Sequence, residues 1–441
     1  MIENERFSQM DPVGRVFYMD GNVYRGIYDE AKNDVMTMFE IGMIDELISK
    51  KLIPQTEIVD LEVEGYCMVL KHERIQSITY IQEWSFSMIQ DAAIMILDLE
   101  KILLRYGFTL KDCHSYNVLF NKNRPMYVDL GSFVKFVNPG WAVREFYSTY
   151  HQILEMMSLN SSIARERIML RCDFGVRYNN YYINGIKTGD DYFDSINEKI
   201  IKVSQNGNVE DFIKLIEKER REICDYKLFD KSEWGNYQDD YCENVSQVEG
   251  ENGRFRYVVD ICKDLNISSV LELGANQGVL SRTLAKIVNI KRIYATDYDE
   301  IAVDKMYTYL KNEPEDSVLQ KVVPAVYNFK TNIVPDISLK TFPERFKSDV
   351  VIALALTHHL ILAQHISIDS IFERMYSLTN KYLIVEYMPK GLWDGIHETP
   401  PIPRWYSEEW FVENMSKLFK ISVRQKIGPN RILFFAEKIA M

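Results

Sequence analysis

The stretch Val270-Leu-Glu-Leu-Gly-Ala-Asn-Gln-Gly278, with Asp297 nineteen residues beyond its last glycine in Ile293-Tyr-Ala-Thr-Asp-Tyr-Asp299, decides how the second half of this 441-residue chain is read. Its first residues form an apolar run rich in Val and Leu, which predicts a buried strand, and Gly274 and Gly278 let the chain turn close to a ligand. Leu280-Ser-Arg-Thr-Leu-Ala-Lys-Ile-Val288 then repeats apolar residues at helical spacing. The next strand ends at Asp297. A carboxylate about 20 residues past such a turn is placed to accept hydrogen bonds from both ribose hydroxyls of a nucleoside lying across the strand ends.

Glu272, two residues before Gly274, selects among nucleoside ligands. A dinucleotide sets its pyrophosphate over the helix N-terminus, where a carboxylate repels it. S-adenosylmethionine offers an ammonium and a sulfonium, which an acid on the strand end favours. Glycine-rich turns alone are weak evidence, and an ordinary βα loop is the plain alternative; Glu272, Gly274, Gly278 and Asp297 together favour the adenosyl reading. The pattern resembles motif I of the class I methyltransferases, with Asn276 where their middle glycine often stands.

Outward from this stretch, Val322-Val-Pro-Ala-Val326, Asp349-Val-Val-Ile-Ala353, Tyr382-Leu-Ile-Val-Glu386 and Arg431-Ile-Leu-Phe-Phe-Ala436 are strand candidates separated by helix-length segments. They predict an α/β, Rossmann-like, mostly parallel sheet covered on both faces. Ligands bind along the carboxyl ends of such strands, so Thr357, His358, His359 and Glu386 lie where an acceptor meets the methyl group, and Asn328 is placed to reach the adenine. Methyl transfer is an in-line displacement in which alignment supplies most of the catalysis. A hydroxyl acceptor must also lose its proton, and a histidine is the natural base. One of His358 and His359 is the expected base, with Glu386 as orienting partner or alternative base; the plain alternative makes both histidines structural. No Asn/Asp-Pro-Pro-aromatic tetrapeptide or Pro-Cys pair of the nucleobase methyltransferases is present.

With 52 basic and 64 acidic residues the net charge is −12, which argues against a nucleic-acid partner. The length suggests two or three domains, and 46% apolar content suffices for their cores. No apolar run reaches the ~18 residues of a membrane span; Ala92-Ala-Ile-Met-Ile-Leu97 reads as a buried helix. A charged N-terminus without a signal-peptide core points to the cytoplasm. The cysteines at 67, 113, 172, 224, 242 and 262 show no paired spacing and read as free thiols, with no zinc site or disulfide framework. The polar segment 225–252, with Trp234-Gly-Asn-Tyr237, is the expected joint, dividing the chain into 1–225 and 226–441. Trp234 and Tyr237 read first as packing residues and second as a cover for the cofactor edge. Trp393, Trp405, Tyr406 and Trp410 offer a stacking wall for a sugar, against a packing role for at least two of them.

The first half carries a second constellation: Leu110-Lys-Asp-Cys-His-Ser-Tyr-Asn117 and then Asp129-Leu-Gly131. Asp112, Asn117 and Asp129 resemble the catalytic loop and metal-binding turn of protein-kinase-like phosphotransferases, in which the first Asp orients the acceptor while the Asn and second Asp hold magnesium. Arg15 to Arg25 reads as a hairpin with an Asp-Gly turn, Asp34 to Leu47 as an amphipathic helix, and Cys67 to Glu73 as a strand and hinge. Arg25 stands where the phosphate-pairing lysine is usual, with Glu40 or Glu46 as its expected partner, and no glycine-rich loop precedes it. The plain alternative is a helix-strand domain in which Asp112 and Asn117 cap a turn.

Together these segments, with Glu83-Trp-Ser-Phe86, Ala353-Leu-Ala-Leu-Thr-His-His-Leu360 and Ile384-Val-Glu-Tyr-Met-Pro-Lys390, resemble a bacterial group of two-part proteins: an α+β, two-lobed, atypical kinase-like domain followed by a class I methyltransferase. The resemblance implies S-adenosylmethionine as cofactor and O-methylation of a glycan or small hydroxyl acceptor. ATP and magnesium, at Asn117 and Asp129, are implied only for an active first domain. Two alternatives stay open: a bifunctional kinase/methyltransferase, and a methyltransferase with a non-catalytic pseudokinase scaffold. Gly391-Leu-Trp-Asp-Gly395 departs from the acidic Asp-Pro-type loop expected after the fifth strand. The oligomeric state is not encoded in any of these features.

Overall fold

The computed structural model describes every residue except 1, 6–7, 9–10, 138–139, 170–180, 184–185, 189–197, 199–207, 230–231, 233, 251–252, 331–339, 394–395 and 441. Cys172 and residues 394–395 of the loop after the fifth strand therefore lie outside the described residues. The chain divides into two compact units, Met1–Asp230 and Lys231–Val334 with Lys340–Met441.

In the first unit, β1 (Glu3–Asn4), β2 (Gly14–Met19), β3 (Asn22–Ile27), β4 (Thr56–Val59) and β5 (Met68–His72) form an antiparallel sheet in the order β1-β2-β3-β5-β4. Asp20 and Gly21 join β2 to β3 with φ of 51° and 80°, the two left-handed positions that a two-residue hairpin turn requires. The expected helix from Asp34 to Leu47 is two helices, Lys32–Glu40 and Met43–Ser49, because Gly42 takes φ 74° between them. The helix Phe86–Arg105 follows, its buried face running from Phe86 to Leu104. Beyond it β6 (Phe108–Leu110), β7 (Val118–Asn121), β8 (Arg124–Tyr127) and β9 (Phe133–Lys135) pair as β6 with β9 and β7 with β8. Helix Val209–Asp225 packs on Phe86–Arg105, and β10 (Tyr181–Ile183) pairs with β11 (Ile186–Thr188).

The second unit is built on β12 (Ser269–Leu273), β13 (Arg292–Asp297), β14 (Val322–Val326), β15 (Ser348–Ala353), β16 (Thr379–Tyr387), β17 (Phe419–Gly428) and β18 (Arg431–Lys438). Their order is β14-β13-β12-β15-β16-β18-β17, with β12 to β16 parallel and β18 antiparallel to both β16 and β17. All five residues of β12 are buried. Leu271 and Leu273 enter a core with Phe342, Phe372 and Phe411, while Val270 enters another with Val258, Leu280 and Met306. A parallel strand covered on both faces has to be apolar throughout, so Glu272 is the exception that needs a reason. β17 was not among the expected strands: most of Lys420 to Lys426 is exposed, and the charges of this edge strand mask its pairing. The helix expected from Leu280 to Val288 spans Val279–Leu284. Among the described residues no helix is long and apolar enough to cross a membrane, and Cys67, Cys113, Cys224 and Cys262 are free thiols.

Candidate functional site

The strand order reverses between β12 and β15, so their carboxyl ends open the crevice in which sheets of this kind bind ligands. Gly274, Asn276 and Gly278 there take φ of 74°, 50° and 74°. Asn276 occupies a left-handed seat that suits glycine, and asparagine is the residue type that tolerates it best after glycine. Gly274 and Ala275 donate to the Thr296 carbonyl at 2.9 Å, and Asn276 N–H donates to Asp297 Oδ2 at 2.7 Å. A Cβ on Gly278 would stand 2.5 Å from Met306 Sδ. Gly278→Ala is thus expected to cost about 2 kcal/mol or more from backbone strain and overpacking. A thermal melt should register a midpoint at least about 4 °C lower for a domain of this size; an unchanged midpoint would mean the turn relaxes freely.

Gln238 Oε1 accepts from Gln277 N–H at 3.1 Å and Val279 N–H at 3.4 Å, capping the helix that follows the turn. Ser232 and residues 234–238 lie over the same turn. Asp299 Oδ2 accepts from Ser232 Oγ and Trp234 N–H at 2.7 and 3.2 Å, and Asn276 Nδ2 donates to the Trp234 carbonyl at 2.7 Å. Trp234 meets His359 edge-on at 5.4 Å, whereas Tyr237 is half exposed.

Two buried acids face this edge. Glu272 Oε2 accepts from Ser281 Oγ at 2.5 Å, and burial pushes its carboxyl up to about 7 against the opposing pull of Ser281 and Arg254. Asp297, with Oδ1 bonded to Asp299 N–H at 3.0 Å, is pushed up to about 6, again chiefly by burial. Both Asp297 oxygens accept from backbone N–H groups, and a carboxylate has lone pairs for further donors.

Glu386, 0% exposed, is committed to neighbours. Its Oε2 accepts from Ala355 N–H and Arg431 Nη1 at 2.8 Å each, and Oε1 stands 3.7 Å from Arg254 Nε. Thr357 Oγ1 donates to the Glu386 carbonyl at 2.9 Å. His358 is buried with its ring 4.1 Å from that of His359. Burial first, and then the charges of His359, Arg431 and Arg254, press its pKa down to about 2 and keep it neutral. Asn328 is exposed and its Oδ1 accepts from Lys330 N–H at 2.9 Å, an Asx turn within its own loop. Of the four aromatics considered as a stacking wall, Tyr406 is buried, and Trp405 and Trp410 meet edge-on at 4.9 Å.

The structure thus gathers Glu272, Gly274, Asn276, Gly278, Asp297, His358, His359 and Glu386 at one sheet edge, and adds residues that sequence reasoning missed: Arg254, Ser281, Arg431 and Gln238. Arg254 carried a usable signal, since a cation as the first residue of helix Arg254–Asp264 opposes the helix dipole. Arg254 Nε, Asn276 Oδ1, His358 Nδ1 and Glu386 Oε1 are buried here without a hydrogen-bond partner. Buried polar atoms are seldom left unpaired, so donors and acceptors remain for a ligand with both positive and negative groups. That set fits an amino-acid-bearing nucleoside such as S-adenosylmethionine.

In the first unit the expected partner of Arg25 is corrected. Glu46 bonds Arg105 and Tyr106, whereas Arg25, 3% exposed, pairs through Nη2 with Asp129 Oδ1 at 2.7 Å and through Nη1 with Asp11 Oδ2. Non-local contacts of this kind leave no trace in local spacing. Burial raises the Asp129 carboxyl, but Arg25 and the Ser132 hydroxyl outweigh it and hold the group below its ordinary range. Asn117 Nδ2 donates to Asp112 Oδ1 at 2.7 Å, and Tyr127 OH to the Asp112 carbonyl at 2.9 Å. Among the described residues no group of three His, Cys, Asp or Glu side chains is arranged to hold a metal ion.

No family model matches the chain. It is 21% identical to the nodulation protein NoeA of Rhizobium meliloti strain 1021, over 97% of this chain and 94% of that protein. Similar solved structures include the methyltransferase domain of bacterial CtHen1 (16% identity, TM-score 0.34, 43% of this chain and 98% of that one). Others are a SAM-dependent methyltransferase from Aquifex aeolicus (16%, 0.34, 46% and 97%) and magnesium protoporphyrin IX methyltransferase from Synechocystis PCC 6803 with bound SAH (17%, 0.32, 45% and 88%). The Rossmann-like character of the second unit is read from its own strand order.

Proposed function

We propose that the second unit is an S-adenosylmethionine-dependent methyltransferase directed at an oxygen of a glycan or small hydroxyl-bearing acceptor, and that the first is a kinase-like domain without phosphoryl-transfer activity. The observation that carries the first part is the edge of β12 and β13, where Glu272 and Asp297 stand beside a left-handed turn together with the unpartnered atoms of Arg254 and Asn276. Gln238 already caps the helix on which a dinucleotide would set its pyrophosphate, which favours a nucleoside without one.

In this reading Asp297 accepts from the ribose hydroxyls. Asn328 stands beside it, since Tyr327 N–H bonds the Asp297 carbonyl at 2.7 Å, and is the proposed adenine neighbour. Glu272 balances the cofactor's positive charge, and Arg254 takes its carboxylate. The bound cofactor supplies an electrophilic methyl group on a sulfonium. His358, whose protonated form is strongly disfavoured, is a poor proton acceptor and is assigned to hydrogen bonding through Nδ1; His359, partly exposed beneath Trp234, is the proposed base. Glu386 positions Ala355 and the two arginines. Trp393, Trp405 and Trp410 are the remaining sugar-stacking candidates.

For the first unit, a five-stranded antiparallel sheet with helices between β3 and β4, followed by a long helix and two short strand pairs, supports the kinase-like reading. Arg25 occupies Asp129, the carboxylate that magnesium would need, which favours the scaffold over the bifunctional enzyme. The likeness to the nodulation protein spans both units, so their pairing is taken as the working form.

The test is calorimetric. Wild type is expected to bind S-adenosylhomocysteine, and silence would sink the methyltransferase reading. Arg254→Gln is expected to weaken S-adenosylhomocysteine about 10- to 100-fold, the worth of one charged hydrogen bond. It should leave 5′-methylthioadenosine, which lacks the amino-acid end, unchanged. Equal weakening of both would make Arg254 a framework residue.

A further inference from the structure

Arg431 opens β18, which runs antiparallel to β16 with Glu386 opposite Leu433 and Tyr387 opposite Ile432, so its side chain belongs to the carboxyl end of β16 and to the edge that holds His358 and His359. A guanidinium grips a carboxylate best through two parallel N–H bonds from one side of its plane. Nη1 of Arg431 is committed to Glu386 Oε2 at 2.8 Å and stands 3.8 Å from Met388 Sδ. Nε and Nη2, which together form the other side, bond nothing among the described residues. The side chain is 25% exposed, so that edge is open to a ligand instead of being sealed in the core.

The charges around this edge favour an anion. Arg254 Nε stands 3.7 Å from Glu386 Oε1, so one carboxylate serves two guanidiniums. Burial and the like charge of Arg254 work against the charge of Arg431, and Glu386 and the Tyr237 phenol offset only part of this, which leaves its pKa below the ordinary value. An arriving anion relieves that penalty. Glu272 and Asp297 lie on β12 and β13, and β15 and β16 separate these from β18. At about 4.8 Å per strand, even β12 is roughly 14 Å away across the sheet. Lys390 adds a further cation: its N–H bonds Asn430 Oδ1 at 2.5 Å, next to Arg431, its ammonium lies 3.8 Å from the centre of the Trp393 ring, and it has no acidic partner among the described residues. His358 is neutral and adds no charge. The carboxylate of the cofactor, taken by Arg254, answers one of these cations and leaves the two-donor edge of Arg431 unfilled.

We propose that the methyl acceptor carries a carboxylate as well as its hydroxyl, as a uronic acid residue of a glycan or a small hydroxy acid does, and that the Nε–Nη2 edge of Arg431 binds that carboxylate. The proposal rests on the methyltransferase reading of the second unit and narrows its acceptor, with Arg431 as a specificity-determining residue. The transfer itself is unchanged: the acceptor oxygen forms the new bond to the methyl carbon, the sulfur keeps the electron pair of the bond that breaks, and the hydroxyl proton passes to His359.

The experiment titrates the full chain, saturated with S-adenosylhomocysteine, with two pairs of probes that differ only in a carboxylate for a hydroxymethyl group: glucuronate against glucose, and 4-hydroxybenzoate against 4-hydroxybenzyl alcohol. The acid of at least one pair is expected to bind about 10-fold or more tighter than its neutral counterpart, the worth of one charged hydrogen bond. A preference in the sugar pair alone identifies a glycan acceptor, one in the phenol pair alone a small hydroxy acid, and one in both shows that the carboxylate suffices. The preference should vanish in Arg431→Gln and shrink in Arg431→Lys, which keeps the charge and loses the two-donor edge, while both hold S-adenosylhomocysteine as wild type does. The wild-type comparison needs no variant, so the proposal stays testable if either variant misfolds, which its melting midpoint reports. No preference in either pair, an undiminished preference in a folded variant, or a loss of S-adenosylhomocysteine binding in the variants would overturn the proposal and leave the methyltransferase reading standing. Failure of wild type to bind S-adenosylhomocysteine, measured first, would instead sink that reading and this one with it.

Discussion

Replacing Asp297 by alanine is expected to weaken S-adenosylhomocysteine binding about 100-fold or more. Two hydroxyl donors on one carboxylate, at about 1.5–3 kcal/mol each for hydrogen bonds to a charged group, supply that factor. The carboxylate also holds Asn276 and Asp299 N–H at 2.7 and 3.0 Å, so truncation loosens the turn as well. Asp297→Asn keeps one acceptor oxygen without the charge, so an intermediate loss places the ligand on the carboxylate, while a loss equal to that of alanine with an equal drop in melting midpoint assigns the effect to the loosened turn. Wild-type affinity in both variants would remove Asp297 from the site. The same group gives the binding a pH dependence. Burial raises Glu272 to about 7 and Asp297 to about 6, so the free site holds protons at mildly acidic pH that it must release to meet hydroxyl donors and an ammonium. Affinity should therefore rise from pH 5.5 to 7.5, by at most about 10-fold per pH unit for each proton released. Stability of the free protein runs the opposite way. Folded values above the unfolded ones favour the fold at low pH, and that contribution is lost as pH rises through about 6 and 7. Calorimetry in buffers of different ionisation enthalpy counts the protons, and a flat profile would contradict the assignment of both acids.

Much of the second unit was legible because its central strands obey a simple rule. A parallel strand covered on both faces is apolar end to end, so 270–273, 322–326, 349–353 and 382–386 announce themselves, and Glu272 stands out against that background. β17 did not, because an edge strand carrying Lys420, Arg424 and Lys426 looks like a loop until its partner β18 is known. The turn at Gly42 was likewise hidden by an apolar pattern that continues across it. Side-chain partnerships were the least legible. Arg25 and Asp129 are 104 positions apart and Glu386 and Arg431 are 45 apart, so neither pair has a spacing that sequence could weigh. Glu386 shows the consequence: its place at the end of a strand suggested a base or an orienting partner, and only the structure shows two guanidiniums competing for it.

Glu386→Ala should therefore act on stability before chemistry. The side chain is 0% exposed, and its removal leaves Arg431 and Arg254 facing each other without the acid between them, and Ala355 N–H without its acceptor. Breaking a buried ion pair from one side costs about 3–5 kcal/mol. At about 2–4 °C per kcal/mol for a domain of this size, that places the midpoint of the second unit roughly 6–20 °C lower. The cost is mainly that of stranded cations, so Arg431→Leu added to Glu386→Ala should return part of it. A double-mutant cycle with a coupling of about 1 kcal/mol or more would establish that the pair acts as a unit. Additive losses would instead mean that each charge is solvated separately, and the case for Glu386 as a positioning group would fall with them. The cycle also bears on the proton acceptor. The arginines that Glu386 holds are the same charges that disfavour protonated His358, so leaving them uncompensated should suppress its protonation further.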